Sequence, residues 1–182
     1  MLRNSPDAWD WPARWLHWIM ALLIFGMFVL GWIMIGLPNS PTRLKLYLWH
    51  KSTGLLLLGL ALARIAWRWT NRAPLPPRGA GPFERRLAEA AHFTLYLLMI
   101  LMPLAGWVIH SASGFTMRWF GWFRVPAIAP ADKALQTAAE AAHLTLFWML
   151  ASVLVLHVGA ALYHHYVRRD DVLRRMMFKS RI

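Results

Sequence analysis

The chain has 182 residues, of which 58% are hydrophobic, with 12 Trp, 10 Met and a formal net charge of +12 from 20 basic and 8 acidic residues. It has no cysteine, which excludes disulfides, iron–sulfur clusters, covalently attached c-type haem and thiol catalysis. A charge of this size on a soluble chain would suggest nucleic acid as a partner, but the apolar residues fall in long blocks, so anionic lipid and membrane orientation account for it and no nucleic-acid partner is expected.

Four blocks follow in order, at about residues 13–36, 46–69, 87–112 and 141–167, forming one domain over 1–182. Each is long enough to cross a bilayer as a tilted helix, so the expected fold is an all-α integral membrane protein, a bundle of four transmembrane helices. The first block starts after Pro12 and carries Trp15 and Trp18 near one end and Trp32 near the other. It lacks the short apolar stretch and small-residue cleavage site of a signal peptide. Arg68, Arg72, Arg78, Arg85 and Arg86 crowd the connection between spans two and three, and six further Lys or Arg follow span four. The other two loops are poorer in positive charge for their length, so both termini are expected in the cytoplasm. Span three contains Pro103, which should kink it. The loop before span four, rich in Trp and Phe, reads as an interfacial cap, with a short amphipathic helix over 131–140 beginning near Asp132. None of the eight acidic residues falls mid-span, which leaves a carboxylate relay of the transporter kind nothing to run on.

Histidine is the unusual ingredient. The stretch "AAHLTLFWMLASVLVLHVGAALYHHY" carries His143, His157, His164 and His165, and imidazole is costly to bury in hydrocarbon unless something binds it. His143 and His157 are 14 residues apart, which places them on one helix face and roughly 21 Å apart along the axis. That separation suits two haems stacked across a bilayer, each taking one imidazole from this helix. His17 near the start of span one and His50 near the start of span two supply partners at the matching depths. His92, low on span three, rivals His157 as the partner of His17, and depth alone leaves that pairing open. Arg64 lies 14 residues after His50, on the same face and one layer lower, where a haem propionate would balance its charge. Snorkelling is the simpler account of Arg64, and ordinary close packing is the simpler account of Gly54 and Gly59 nearby. A haem-free histidine transporter of metal ions is a further alternative, and the colour of the purified protein separates it.

Several segments together resemble the bacterial cytochrome b561 family of small four-helix dihaem membrane proteins, above all its superoxide:ubiquinone oxidoreductases. They are "RWLHW" at residue 14, "HKSTG" at 50, "AHFTLYLLMILMPLAGW" at 91, "LHVGAALYHHY" at 156 and "LRRMM" at 173. The resemblance covers nearly the whole chain, and is weakest in the loop before span four. It implies two b haems, the inner one held by His17 and His157 and the outer one by His50 and His143. It also implies ubiquinone as electron acceptor near His164, in the bacterial inner membrane; Arg14 and Arg78 are weaker quinone-side candidates from their own position and charge. The implied donor is superoxide or another periplasmic reductant, steered to the outer face by cations such as Arg43, Lys45, Lys51, Arg118, Arg124 and Lys133. A cytochrome subunit docked to a larger dehydrogenase is the alternative that the same fold allows.

Overall fold

The computed structural model describes residues 8–71, 74–75 and 80–178. Four long helices make up the bundle: α1 (Trp11–Gly36), α2 (Pro41–Thr70), α3 (Pro82–Ala112) and α4 (Lys133–Tyr163). All four are long and apolar enough to cross a membrane. Much of their apolar surface faces outward, as with Leu22, Phe25, Val155 and Leu156, which is the expected pattern where lipid replaces water.

Each start is chemically marked. Asp10 caps α1 by accepting from the Ala13 N–H at 2.8 Å, Ser40 caps α2 through the Arg43 N–H at 3.2 Å, and Asp132 caps α4 through the Leu135 N–H at 2.8 Å. Pro12, Pro41 and Pro82 sit in the first turns of their helices, where the missing N–H costs nothing. The caps carry α2, α3 and α4 several residues beyond their apolar blocks. The separate helix expected over 131–140 is therefore the opening of α4. Asp132 starts it, and the Ala-rich segment 138–142 contains nothing that would break it. α3 is continuous through Pro103.

The expected all-α bundle of four spanning helices is observed, and the loop before α4 adds a small element to it. There β1 (Met117–Trp119) and β2 (Phe123–Val125) form a small antiparallel hairpin, with Met117 opposite Val125 and Trp119 opposite Phe123. Phe120 and Gly121 take φ values of 46° and 86°, the left-handed pair that a type I′ turn needs. The strain at Phe120 is offset by a hydrogen bond from its N–H to Ser52 Oγ at 2.9 Å, and Trp119 Nε1 donates to the Ser52 carbonyl at 3.1 Å. The hairpin is thereby fastened to α2 two residues beyond His50.

Among the described residues, backbones approach closely between α1 and α2, α2 and α3, and α3 and α4, while α4 makes only sparse backbone contact with α1 and α2. The mid-height core is apolar. Met20, Ile24, Leu57 and Ala61 form one cluster and Leu95, Leu98 and Leu150 another, and Phe28, Met99 and Leu154 pack against both. Apolar side chains, including Phe28 against Phe147 with ring centroids 5.1 Å apart, bridge the space that the backbones leave open.

Candidate functional site

Two facing imidazole pairs lie on either side of this apolar layer. His17 of α1 and His157 of α4 have ring centroids 6.3 Å apart, and His50 of α2 and His143 of α4 have centroids 6.4 Å apart. An imidazole nitrogen binds a transition metal at about 2 Å and lies about 1.1 Å from its ring centroid, so two imidazoles on opposite sides of one iron have centroids about 6.2 Å apart. Both pairs match that spacing. His92 of α3 also approaches His157, but with a centroid separation of 5.5 Å, too short to place an iron between them. Among the described residues no three His, Cys, Asp or Glu side chains gather as a site for a bare metal ion. The upper layer holds the facing couple His50 and His143, and the lower layer holds His17 and His157 with His92 beside His157.

The fold gives these rings room. Each pair joins α4 to a helix whose backbone stands away from it, and glycines lie beside the outer pair. A Cβ at Gly106 would come within 3.4 Å of His143 Cε1, and one at Gly31 within 3.7 Å of His50 Cε1. His143 Nδ1 is 3.1 Å from the Met102 carbonyl. A carbonyl only accepts, so Nδ1 carries the hydrogen and Nε2 is left to bind a metal. The buried Nδ1 atoms of His17 and His50 have no hydrogen-bond partner. Four imidazoles in two opposed pairs, the outer pair beside bare glycine backbone, have the donor chemistry and spacing that a flat iron macrocycle needs.

Cations border both layers. Arg64 donates through Nη1 to the Ala13 carbonyl at 3.0 Å and through Nε to Tyr96 Oη at 3.2 Å. This holds the guanidinium one turn before His17, in the lower layer, where the 14-residue offset from His50 puts it. Arg68 lies over the rings of Trp9 and Tyr96. In the upper layer Lys51 Nζ lies 3.0 Å from His110 Nδ1, so this lysine is engaged inside the bundle. His110 is buried, and depth reasoning on α3 gave no sign of the contact.

At the upper end, a cavity of about 540 Å³ opens between the end of α3 and the hairpin loop, lined by His110, Ser111, Arg124 and apolar loop residues. Arg118 is exposed on the hairpin and donates to the Trp122 carbonyl at 3.2 Å, and Lys133 is exposed at the start of α4. Arg43 is tied locally to Asn39 and Tyr47.

At the lower end the chain turns back on itself. α4 runs into a π-helical turn, His164–Arg168, and residues 170–178 then cross to α1. Arg14 is buried there and donates to the Met177 carbonyl at 3.0 Å, Trp18 Nε1 donates to the Met176 carbonyl at 2.8 Å, and Trp11 and Trp15 pack on Phe178. Arg14 is thus occupied at least in part by the tail. His164 Nδ1 meets Asp170 Oδ2 at 2.5 Å, a contact that sequence reasoning missed although "HHYVRRDD" places an acidic pair just past the helix end. His165 packs its ring edge against Tyr166. Arg78 lies outside the described residues.

A profile of the family described as prokaryotic cytochrome b561 matches residues 8–179. The chain belongs to that family. It is 35% identical to "Cytochrome b561 homolog 2" of Escherichia coli strain K12 over 184 aligned positions, covering 97% of this chain and 95% of the relative. It is 34% identical to "Probable superoxide oxidase CybB" of Yersinia pestis, covering 91% and 93% respectively. "Cytochrome b561 homolog 1" of E. coli K12 is 28% identical, over 90% of this chain and 93% of its own length. The protein is therefore a bacterial membrane cytochrome of the electron-transfer class, and its family implies b-type haem.

Proposed function

We propose that the chain carries electrons through two b haems from the periplasmic face of the inner membrane to ubiquinone at the cytoplasmic face, with superoxide as the donor. The observation that carries this reading is the pair of facing histidine couples at 6.3 and 6.4 Å, set one above the other along α4. In this assignment His17 and His157 hold the inner haem, and His50 and His143 the outer one. When bound, a haem between two imidazoles takes up and passes on single electrons without opening a coordination site.

The protein's own groups do the rest. The Met102 carbonyl orients the His143 ring, and Arg64 supplies positive charge beside the inner layer. The apolar plug of Met20, Leu57, Leu98 and Leu150 keeps water from the space between the layers. With the basic 2–3 connection and C-terminal tail in the cytoplasm, the hairpin and its cavity face the periplasm. There Arg118, Arg124 and Lys133 draw a small anion toward the outer couple. Oxidising superoxide removes one electron and requires no general base. At the opposite face, reduction of ubiquinone consumes two electrons and two protons, and His164 is placed to supply protons. The similarity to a relative named as a probable superoxide oxidase supports superoxide as the donor.

The deciding experiment gives superoxide to purified two-haem protein in the presence of a soluble ubiquinone. Reduction of the haems followed by formation of ubiquinol is the expected result. A second reading, a cytochrome subunit docked to a larger dehydrogenase, draws on the exposed aromatics Phe115, Trp122 and Phe123 of the outer loop. Haems that superoxide leaves oxidised, in a protein that purifies with a stable redox partner, would favour it.

A further inference from the structure

We propose that Asp170 is a positioning residue that fixes the His164 ring as a proton donor to the quinone. The proposal rests on ubiquinone being reduced at the cytoplasmic end of α4. His164 follows His157 by seven residues, two helical turns, which puts it on the same face and about 10 Å below the inner couple. At that point α4 widens into its π-helical turn, and Arg169 then takes a left-handed φ of 55°. The Asp170 N–H returns to the His164 carbonyl at 3.1 Å. This reversal brings the Asp170 carboxylate against the His164 ring.

The hydrogen bonds of Asp170 fix which His164 nitrogen carries the proton. Asp170 Oδ1 accepts from the Val172 N–H at 3.1 Å, and Oδ2 faces His164 Nδ1. Burial pushes the Asp170 carboxyl up, but its hydrogen bonds with His164 and Val172 and the nearby charge of Arg168 hold it below the ordinary carboxylate range on balance. Asp170 is therefore ionised at neutral pH and loses its charge only as pH falls through that lowered value. An ionised carboxylate only accepts, so Nδ1 of His164 carries a hydrogen and Nε2 is the nitrogen free for exchange.

Other charges nearby hold the arrangement from two sides. Arg168 bonds to Glu84, at the start of α3, through both carboxylate oxygens at 2.7 Å, and its Nε lies 3.9 Å from Asp170 Oδ2. Tyr163 packs its ring edge toward His164 at a centroid distance of 6.1 Å. The chemistry balances simply. Ubiquinone gains two electrons through the haem path and two protons to become ubiquinol. For one of those protons the Nε2–H bond of His164 breaks as the quinone O–H bond forms, and Nε2 then takes a proton from cytoplasmic water; the second quinone oxygen takes its proton directly from cytoplasmic water. Asp170 holds the hydrogen on Nδ1 and keeps the ring from rotating.

The test uses full-length two-haem protein with ¹⁵N-labelled histidine, and it reads the His164 ring state by NMR alongside quinone turnover. In the wild type His164 should show a hydrogen on Nδ1. Asp170→Asn should disturb that assignment and lower turnover at saturating ubiquinone by about 10–100-fold, the usual effect of losing a residue that orients another. KM for ubiquinone, the haem spectra and the rate of haem reduction from the outer side should stay unchanged. His164→Gln should cause a similar loss, and the double variant no more than either alone. Arg175→Gln removes a tail contact to the Leu75 carbonyl and should alter neither ring state nor turnover, which separates loosening of the tail from loss of the dyad. Turnover in Asp170→Asn within about twofold of wild type, or a double variant with an additional multiplicative loss, would overturn the dyad alone. Wild-type protein whose haems fill with electrons but reduce no ubiquinone would overturn the quinone reading and the dyad's role with it.

Discussion

The pairing of His17 with His157, and the exclusion of His92, can be tested by removing one imidazole at a time. The geometry sets the expectation. Iron held between two imidazoles requires a centroid separation of about 6.2 Å, and the His17–His157 couple already stands at 6.3 Å. The His92–His157 separation of 5.5 Å is short by about 0.7 Å, so α3 or α4 would have to move outward to admit an iron, against the packing of Leu95 and Leu98 on Leu150. His17→Ala should therefore lower the haem content from two per chain to one, and His92→Ala should keep it at two. A pyridine haemochromogen assay gives the stoichiometry, and a redox titration shows which component has gone. His50→Ala should remove the outer haem and leave the inner titration step in place. Loss of one haem in His92→Ala, or retention of two low-spin haems in His17→Ala, would refute the assignment.

Other substitutions probe the surroundings of each layer. Arg64→Gln should lower the midpoint potential of the inner haem, because a nearby positive charge favours the reduced state; an unchanged potential at normal haem content would return Arg64 to a purely structural role. Gly106→Leu should displace the His143 ring, since even its Cβ would stand 3.4 Å from His143 Cε1, and the outer haem's spectrum should shift or vanish while the inner one persists. The rate of haem reduction by superoxide should fall as salt screens charges beyond about 8–10 Å at 0.1–0.15 M. Neutralising Arg118, Arg124 and Lys133 together should lower the low-salt rate and flatten its salt dependence without changing the haem spectra.

The parts of this protein that could be read from sequence are those governed by helix geometry. Length and hydropathy are sufficient for four spans, because a chain crossing lipid must bond its own backbone. The fixed rise and rotation of an α-helix turn the interval between His143 and His157 into a distance and a direction. Depth across different helices is coarser, and by itself it leaves His92 level with His157 as a partner for His17. The hairpin was hidden for a different reason. Its strands are three residues long, and its turn begins with Phe120, whose positive φ is accompanied by a hydrogen bond from its N–H to Ser52 of a distant helix. The tail was hidden likewise. Arg14 is turned toward Met177, and Asp170 toward His164, by a chain reversal that no periodicity encodes.

The placement of both couples on α4 has a mechanical consequence. One continuous helix contributes an imidazole to each layer, so the vertical spacing of the layers is set by 14 residues of backbone hydrogen bonding rather than by the packing of separate elements. α4 is anchored mainly along α3, and it stands clear of α1 and α2, the helices that supply the opposing rings. Small adjustments of α1 or α2 against it leave the spacing of the two histidine couples along α4 unchanged. The hairpin fastened at Ser52 and the tail fastened at Arg14 and Trp18 tie α2 and α1 to segments flanking α4. They restrain the two gaps at opposite ends of the bundle, where the backbones of the transmembrane helices do not. α4 is thus held along α3 by close helix–helix packing, while loop and tail contacts add ties on the sides of α2 and α1.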